Sequence, residues 1–274
     1  MKKILCALLM MPSIASAYQT EVAGGYATLE TSNNFEASTI QTVVTRYFSP
    51  VRSEGRWYKE NAFLQRAASA SLFLGMMEFE FSQRKSDGPI FGISTVLMEK
   101  GSAYYLALGY FSSEYDLVSN TSTSLEIDSV DVTPGIFIND DTLIKFRVSQ
   151  DRVKISGRTD RTSGTGIMVK HVVEKATIEG GLIRSTDTDG RTSAHESSNR
   201  YSLDTEYFLS NKVSVGVDLG LTTSDNAAND GKEIDVSSTV FIDEKLAFSF
   251  SYGKFNADST PDYDSFDVVV AYRF

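Results

Sequence analysis

The chain has 274 residues, with 36 acidic against 26 basic side chains and a formal net charge of −10. This acidic balance argues against nucleic-acid binding, which needs a basic face toward the phosphates. Beyond the first 17 residues, no stretch approaches the roughly 18 apolar residues that a membrane-spanning helix requires.

Residues 1–17 have the pattern of a cleaved secretory signal peptide. Lys2 and Lys3 give a basic start, Ile4 to Met11 form an apolar run, and Ala15-Ser-Ala17 is a small-residue cleavage pattern. The sequence therefore predicts an exported protein.

Residues 18–274 are then expected to form one mature all-β domain. Loss of the two signal lysines takes the net charge from −10 to −12. The chain's one cysteine, Cys6, lies in the signal segment, so the mature domain carries no thiol chemistry.

Segments with alternating apolar and polar side chains follow one another through this domain. We predict fourteen strands, and uncertain boundaries allow 12 to 16. The predicted strands are 19–30, 36–48, 62–83, 90–99, 102–114, 124–139, 142–156, 165–174, 176–187, 200–209, 213–223, 232–242, 246–256 and 265–274.

The connections between these strands fall into two classes that alternate from the fourth strand onward. The short, charged class is Lys100-Gly101, Asn139–Asp141, Lys175, Asn211-Lys212 and Asp243–Lys245. The longer, polar class is Asp116–Thr123, Gly157–Gly164, Thr188–Asn199, Ser224–Gly231 and Asn256–Asp264. This alternation predicts a closed antiparallel transmembrane β-barrel with short periplasmic turns and longer external loops.

The strand faces agree with a barrel whose apolar side contacts lipid. In the last strand, one face is Phe266, Val268, Val270, Tyr272 and Phe274. An antiparallel sandwich also alternates. The signal segment, the alternating turns, the even strand count and the final aromatic pair together favour the outer membrane of a Gram-negative bacterium.

Two strands deviate from simple alternation. In 62–83 the alternation of apolar residues changes phase near Gly75. In 124–139 acidic residues occupy the same face as the later apolar residues, and Pro134-Gly135 lies inside the strand. We predict a β-bulge in each, or in 62–83 a strand that projects beyond the membrane.

One stretch carries a family resemblance. Tyr47-Phe48…Pro50-Val51, followed by Glu60…Ala62-Phe63-Leu64…Arg66, resembles the signature of the general bacterial porin family, with Arg56-Trp57-Tyr58 in place of the expected spacer. The resemblance implies a pore-forming outer-membrane β-barrel, and it carries over no catalytic or binding residues.

The same stretch contains a long connection, Ser49–Asn61, at the end where the turns are otherwise short. We expect a periplasmic loop that closes the barrel seam. The alternative is a segment that folds into the lumen, with Arg52, Arg56 and Lys59 near the opening as a selectivity element.

Inward-facing charged residues are the candidate site of a porin that passes small hydrophilic solutes and ions. The pore-lining candidates are Arg46, Glu78, Glu80, Lys145, Arg147, Lys170, Asp204, Glu206, Asp218, Asp267 and Arg273. The net negative charge predicts a weak preference for cations. We expect no cofactor and no metal site, since Asp187-Thr-Asp189-Gly190 matches only the start of a calcium loop.

Two other functions stay open. The barrel could be structural or adhesive, with external loops that bind a partner. A lipid hydrolase that uses His195 as base for Ser197 is a remote alternative, since such pairs arise by chance in Ser-rich loops.

The expected partners are outer-membrane lipid, lipopolysaccharide and the barrel assembly machinery. Tyr272 and Phe274 resemble the aromatic signal that this machinery recognises.

Overall fold

The computed structural model describes residues 17–33, 35–53, 57–81, 84–117, 123–155, 158–189, 195–225, 230–257 and 261–274. The predicted signal segment, apart from Ala17, lies outside these residues. Fourteen antiparallel strands form a closed barrel in which each strand pairs with its neighbours in sequence, and the last pairs with the first. The predicted fold and strand number are confirmed.

The strands are longer than the predicted segments at most ends. They are β1 (Ala17–Thr31), β2 (Phe35–Arg52), β3 (Ser69–Phe81), β4 (Arg84–Met98), β5 (Tyr104–Leu117), β6 (Thr123–Asn139), β7 (Thr142–Ile155), β8 (Arg158–Val172), β9 (Ala176–Thr188), β10 (His195–Ser210), β11 (Val213–Ser224), β12 (Gly231–Phe241), β13 (Leu246–Ala257) and β14 (Tyr263–Arg273).

The largest difference in boundaries concerns the predicted strand 62–83. Its first residues instead form a single helical turn, α1 (Asn61–Leu64), and β3 begins only at Ser69. None of the described helical residues forms a segment with the length and hydropathy that a bilayer-spanning helix requires.

The predicted long loops are shorter than expected, because strands continue into them. β8 already begins at Arg158 and β10 at His195, inside segments predicted as connections. Ser, Thr and Asp residues complete a backbone ladder as well as apolar residues do, since the ladder uses only main-chain groups. The polar segments predicted as loops are therefore in part the ends of strands, which continue past the apolar residues.

The short turns gather at one end of the barrel, here called the tight-turn end. Gly101 between β4 and β5 has φ +86°, a left-handed conformation that glycine adopts without steric cost. Between β12 and β13, the backbone N–H groups of Lys245 and Leu246 each donate to Asp243 Oδ1 at 2.8 Å. These hydrogen bonds hold the pKa of the Asp243 carboxyl below its usual range.

The expected phase changes do not occur. β3 keeps an unbroken register with both neighbours, so Leu72, Leu74 and Met76 share one face and Phe73 and Met77 the other. In β6 the register shift falls between Phe137 and Asn139, not at Pro134-Gly135. In β3 the apparent phase change came from Met77 and Phe79, which face the interior, and in β6 it came from Glu126 and Asp128, which share the outer face with Val130.

Most of the buried apolar side chains lie at the tight-turn end, whereas Ile90 and Tyr115 lie farther along the barrel. One cluster joins Tyr18, Val51 and Ala67, and another joins Tyr58, Phe241 and Ala247. Each cluster contains a residue of the connection between β2 and β3. That connection therefore packs inside the barrel.

Candidate functional site: the barrel lumen and its mouth

The two faces of each strand differ sharply in chemistry. On β11, Val215, Val217, Leu219 and Leu221 are 38–45% exposed and form part of an outer apolar belt. The opposite face carries Ser214, Gly216, Asp218, Gly220 and Thr222. In a closed barrel the outer belt suits lipid and the opposite face lines a polar lumen.

Eight of the predicted pore-lining residues occupy inner-face positions. They are Lys145, Arg147, Lys170, Asp204, Glu206, Asp218, Asp267 and Arg273. In each strand they alternate with exposed apolar residues of the outer face, such as Phe146, Leu203 and Val270.

The other three predicted residues lie on the outer face, so their assignment to the lumen is wrong. Arg46 shares a face with the exposed Ile40 and Phe48 and donates to Thr20 Oγ1 at 2.8 Å. Glu78 and Glu80 continue the outer face of β3, where both pair with Lys85 of β4 at 2.9 and 3.3 Å.

The inner wall of the described chain is a network of ion pairs with acidic residues left over. Lys145 pairs with Glu179 at 2.6 Å, and Arg273 pairs with Glu21 at 2.6 Å. The further inner-face pairs are Arg147–Asp131, Arg158–Asp160 and Arg200–Glu233. Lys145, Arg147, Arg158, Arg200 and Arg273 thus each have a carboxylate partner.

Six inner-face aspartates have no such partner, among them Asp151 and Asp187, which accept hydrogen bonds from Ser129 and Thr162. Asp204, Asp218, Asp235 and Asp267 have no described lysine or arginine within 4.0 Å. Register places Asp204 opposite Asp218 and Asp218 opposite Asp235, so three carboxylates stand side by side on neighbouring strands. The lumen therefore carries excess negative charge on the wall of β10 to β14.

Residues 57–68, here called the mouth segment, lie across the tight-turn end of the lumen. Trp57 stacks on Phe208 of β10 with ring centroids 4.7 Å apart and planes 6° apart. Tyr58 packs edge-on against Phe241 of β12 at 5.6 Å. The expected loop at the barrel seam is therefore wrong, and the segment folds inward as in the alternative.

Ion pairs tie the mouth segment to further strands. Lys59 Nζ lies 2.7 Å from Glu206 of β10, and Lys170 Nζ of β8 lies 2.8 Å from Glu60. Arg273 Nη1 of β14 donates to the Tyr58 carbonyl at 2.9 Å. Contacts from one side of the barrel to the other hold the segment in place.

Arg66 fixes the end of the mouth segment. It has φ 51°, a left-handed conformation that costs about 1 kcal/mol for a residue with a side chain. Its guanidinium donates to the Ser102 carbonyl at 2.5 Å and to Asp140 at 3.0 Å, and lies 4.1 Å above the Phe137 ring. These contacts to the tight turns offset the backbone strain.

The stretch that carried the family resemblance is this segment with its flanks. Val51 is fully buried, Tyr47 packs on Tyr18, and Phe63 packs on Phe137. Arg52 lies at the end of β2, where its backbone exchanges hydrogen bonds with the Gln65 side chain at 2.7 and 2.8 Å. Arg56, the third cation of the predicted selectivity element, lies outside the described residues.

An apolar part of the lumen was not predicted from the sequence. Phe73 of β3 and Phe111 of β5 face inward with ring centroids 6.2 Å apart, and Phe79 packs on the buried Tyr115 at 4.6 Å. Continuous alternation from Leu72 onward is the signal that identifies them.

The described residues contain neither a catalytic arrangement of His195 and Ser197 nor a cluster of metal ligands. His195 and Ser197 share the outer face of β10, and His195 Nδ1 lies 3.2 Å from Thr188 Oγ1. In the described part of the chain, no group of three or more His, Cys, Asp and Glu side chains is arranged to hold a metal ion.

The sequence matches no profile of a known protein family and no curated protein sequence. Solved structures do share the fold. The Acinetobacter baumannii outer membrane protein Omp33 aligns with a TM-score of 0.59 at 19% identity, covering 95% of this chain and 100% of that chain.

Two more distant structures show the same architecture. A ΔS2S3 mutant of the monoaromatic hydrocarbon channel TodX aligns with a TM-score of 0.55 at 9% identity, covering 97% of this chain and 93% of that chain. The translocator domain of the autotransporter NalP from Neisseria meningitidis aligns with a TM-score of 0.51 at 13% identity, covering 99% of this chain and 93% of that chain. The chain thus has the fold of a bacterial outer-membrane β-barrel.

Proposed function

We propose that the protein is an outer-membrane porin through which small hydrophilic solutes and ions diffuse, with a preference for cations. The observation that carries this proposal is the charged inner wall of a closed barrel, where Lys145, Arg147, Arg200 and Arg273 are paired with carboxylates and six aspartates have no cation partner among the described residues. A barrel that only anchors loops has no need of unpaired charge facing its interior, since such charge costs free energy unless water or ions solvate it.

The mouth segment sets the resistance of this channel. It narrows the lumen at the tight-turn end, which we assign to the periplasmic side because short turns lie there in outer-membrane barrels. Solute passage depends on the space beside this segment and on how often its anchors at Glu206, Lys170 and Arg273 release it.

Export and placement follow from the same proposal. Residues 1–17 act as the cleaved signal peptide, and the exposed apolar belt meets outer-membrane lipid and lipopolysaccharide. No catalytic step is part of this function, so His195→Ala is expected to leave it unchanged.

Planar-bilayer recording of the folded, purified protein tests the proposal. We expect discrete current steps in KCl and a reversal potential of the cation-selective sign across a KCl gradient. An anion-selective potential would overturn the cation preference. No current from the wild type, nor from a Glu206→Gln variant with a weakened anchor, would favour a structural or adhesive barrel instead.

Trp57 supplies an independent readout, because it is the only tryptophan of the chain. Its ring is stacked on Phe208 when the mouth segment is in place. Release of the segment exposes the indole to water and shifts its emission to longer wavelength. Conductance and emission are expected to change together.

A further inference from the structure

The inner wall of β2 to β6 contains a recess with a volume of about 440 Å³, lined in part by Val43, Phe73 and Phe111. Both phenyl rings are half-buried and so remain open to the lumen. A water-filled lumen is ordinarily lined by polar side chains. Two rings that face it therefore favour a solute that covers their apolar surface.

A glycine gives this recess part of its depth. Gly109 lies between Phe111 and Ala107 on the inner face of β5, opposite Asp131. A Cβ at Gly109 would have the Asp131 Cβ, at 3.7 Å, as its nearest heavy-atom neighbour, which is ordinary contact distance. The backbone does not require glycine there, so the missing side chain leaves space inside a recess of ligand size.

The wall across the lumen supplies the charge. β11 lies across the closed barrel from β4, seven strands away. Asp204 lies six residues from the tight-turn end of β10 and Phe111 seven residues from that of β5, so both lie in the middle part of their strands. Adjacent like charges such as Asp204, Asp218 and Asp235 destabilise a sheet, and a cation in the lumen relieves the repulsion.

We propose that the lumen selects small organic cations that carry an apolar or aromatic body. The body packs in the recess against Phe73 and Phe111, and the ammonium group lies in the negative potential of the lumen. Aromatic faces attract ammonium groups directly as well. This inference names the solute class of the proposed channel and rests on that function.

Binding of benzylammonium to the folded full-length protein, followed by calorimetry in detergent, tests the inference. We expect it to bind more tightly than methylammonium, which lacks the ring, and than benzoate, which reverses the charge. Gly109→Leu fills part of the recess and keeps both phenyl rings and every carboxylate in the sequence. We expect this variant to lose about five-fold in benzylammonium affinity, the effect of one lost ring contact.

Gly180→Leu is the matched control. Gly180 shares the outer face of β9 with Ile178 and Leu182, and an added Cβ meets nothing closer than the Ser202 carbonyl at 3.8 Å. We expect wild-type affinity from it. Phe111→Ser, which removes a ring instead of filling the space, is expected to weaken binding as Gly109→Leu does.

The outcomes separate this inference from the channel function. A wild type that conducts KCl but binds benzylammonium no better than methylammonium or benzoate would overturn the solute class and leave the porin standing. Unchanged affinity in folded Gly109→Leu and Phe111→Ser would overturn the recess as the binding place. Selective binding by a protein that passes no current would support the site and count against the channel.

Discussion

The Lys59 ammonium lies 2.7 Å from the Glu206 carboxylate and joins the mouth segment to β10 across 147 positions of sequence. Glu206 is buried, and its carboxylate also accepts a hydrogen bond from Ser214 Oγ at 2.5 Å. Lys59 is the more exposed partner, with 42% of its side chain accessible. The pair is therefore an anchor with a fixed acceptor and a partly solvated donor.

Lys59→Met is expected to raise the fraction of time that the channel is open. A partly exposed ion pair contributes about 0.5 kcal/mol, which corresponds to roughly a two-fold change in the equilibrium between the seated and released segment. Single-channel open probability measures this change. Lys85→Met removes an ion pair on the outer face and is expected to have no effect. Equal effects of both variants would show that the Lys59 anchor does not control passage.

Lys170→Met is expected to release the mouth segment more completely. Lys170 and Glu60 are 19% and 8% exposed at their side chains, so the substitution leaves a buried carboxylate without its cation. Breaking such a pair costs more than losing an exposed one. A red-shifted Trp57 emission and faster proteolysis within the mouth segment measure the release.

The exchanged variant, Lys170→Glu with Glu60→Lys, is the control for that prediction. It keeps both charges and reverses their positions, so part of the wild-type emission and protease resistance is expected to return. Emission that stays at the wild-type wavelength in Lys170→Met would contradict the anchoring role of this pair.

The triple variant Asp204→Asn, Asp218→Asn and Asp235→Asn is expected to lower cation selectivity. It removes three inner-face charges that no described lysine or arginine neutralises, and it also removes the repulsion between them. The reversal potential across a KCl gradient should move toward zero. Glu78→Gln with Glu80→Gln removes charge from the outer face and should leave that potential unchanged, since these side chains do not face the lumen.

Phe274→Ala is expected to lower the amount of folded barrel in the outer membrane without reducing export. The Phe274 backbone exchanges hydrogen bonds with β1 at 2.8 Å through Gln19 and Thr20, and its ring packs on Tyr272 at 4.8 Å. The substitution keeps the backbone bonds and removes the ring that we propose the assembly machinery recognises. A heat-modifiability gel of outer-membrane fractions measures the folded fraction. Wild-type levels would contradict the proposed signal.

The strands could be predicted because each carries its own evidence. Alternation in a segment such as 213–223 and the charged turn at Asn211-Lys212 identify both a strand and its end without reference to any other part of the chain. Inner-face positions followed from the same alternation on β7 to β14. Glu78 and Glu80 were misplaced because Met77 and Phe79 looked like lipid-facing residues, whereas they face an apolar part of the lumen.

The mouth segment could not be predicted in the same way. Trp57, Lys59 and Glu60 make their contacts with β8 and β10, more than a hundred residues later, and no local pattern records those partners. A polar connection with scattered aromatics is compatible with a loop at the seam as well as with a segment inside the barrel.

The sequence by itself determined that this protein is a closed barrel with an apolar outside, because the period of two and the alternating turns are local properties of the chain. Only the tertiary structure decided what occupies the interior. Closure of β14 onto β1 brings Glu206, Lys170 and Arg273 to the mouth segment, and sets the ring pair of Phe73 and Phe111 across from the aspartates of β10 to β12. These relationships join distant strands, so they exist only once the barrel has closed.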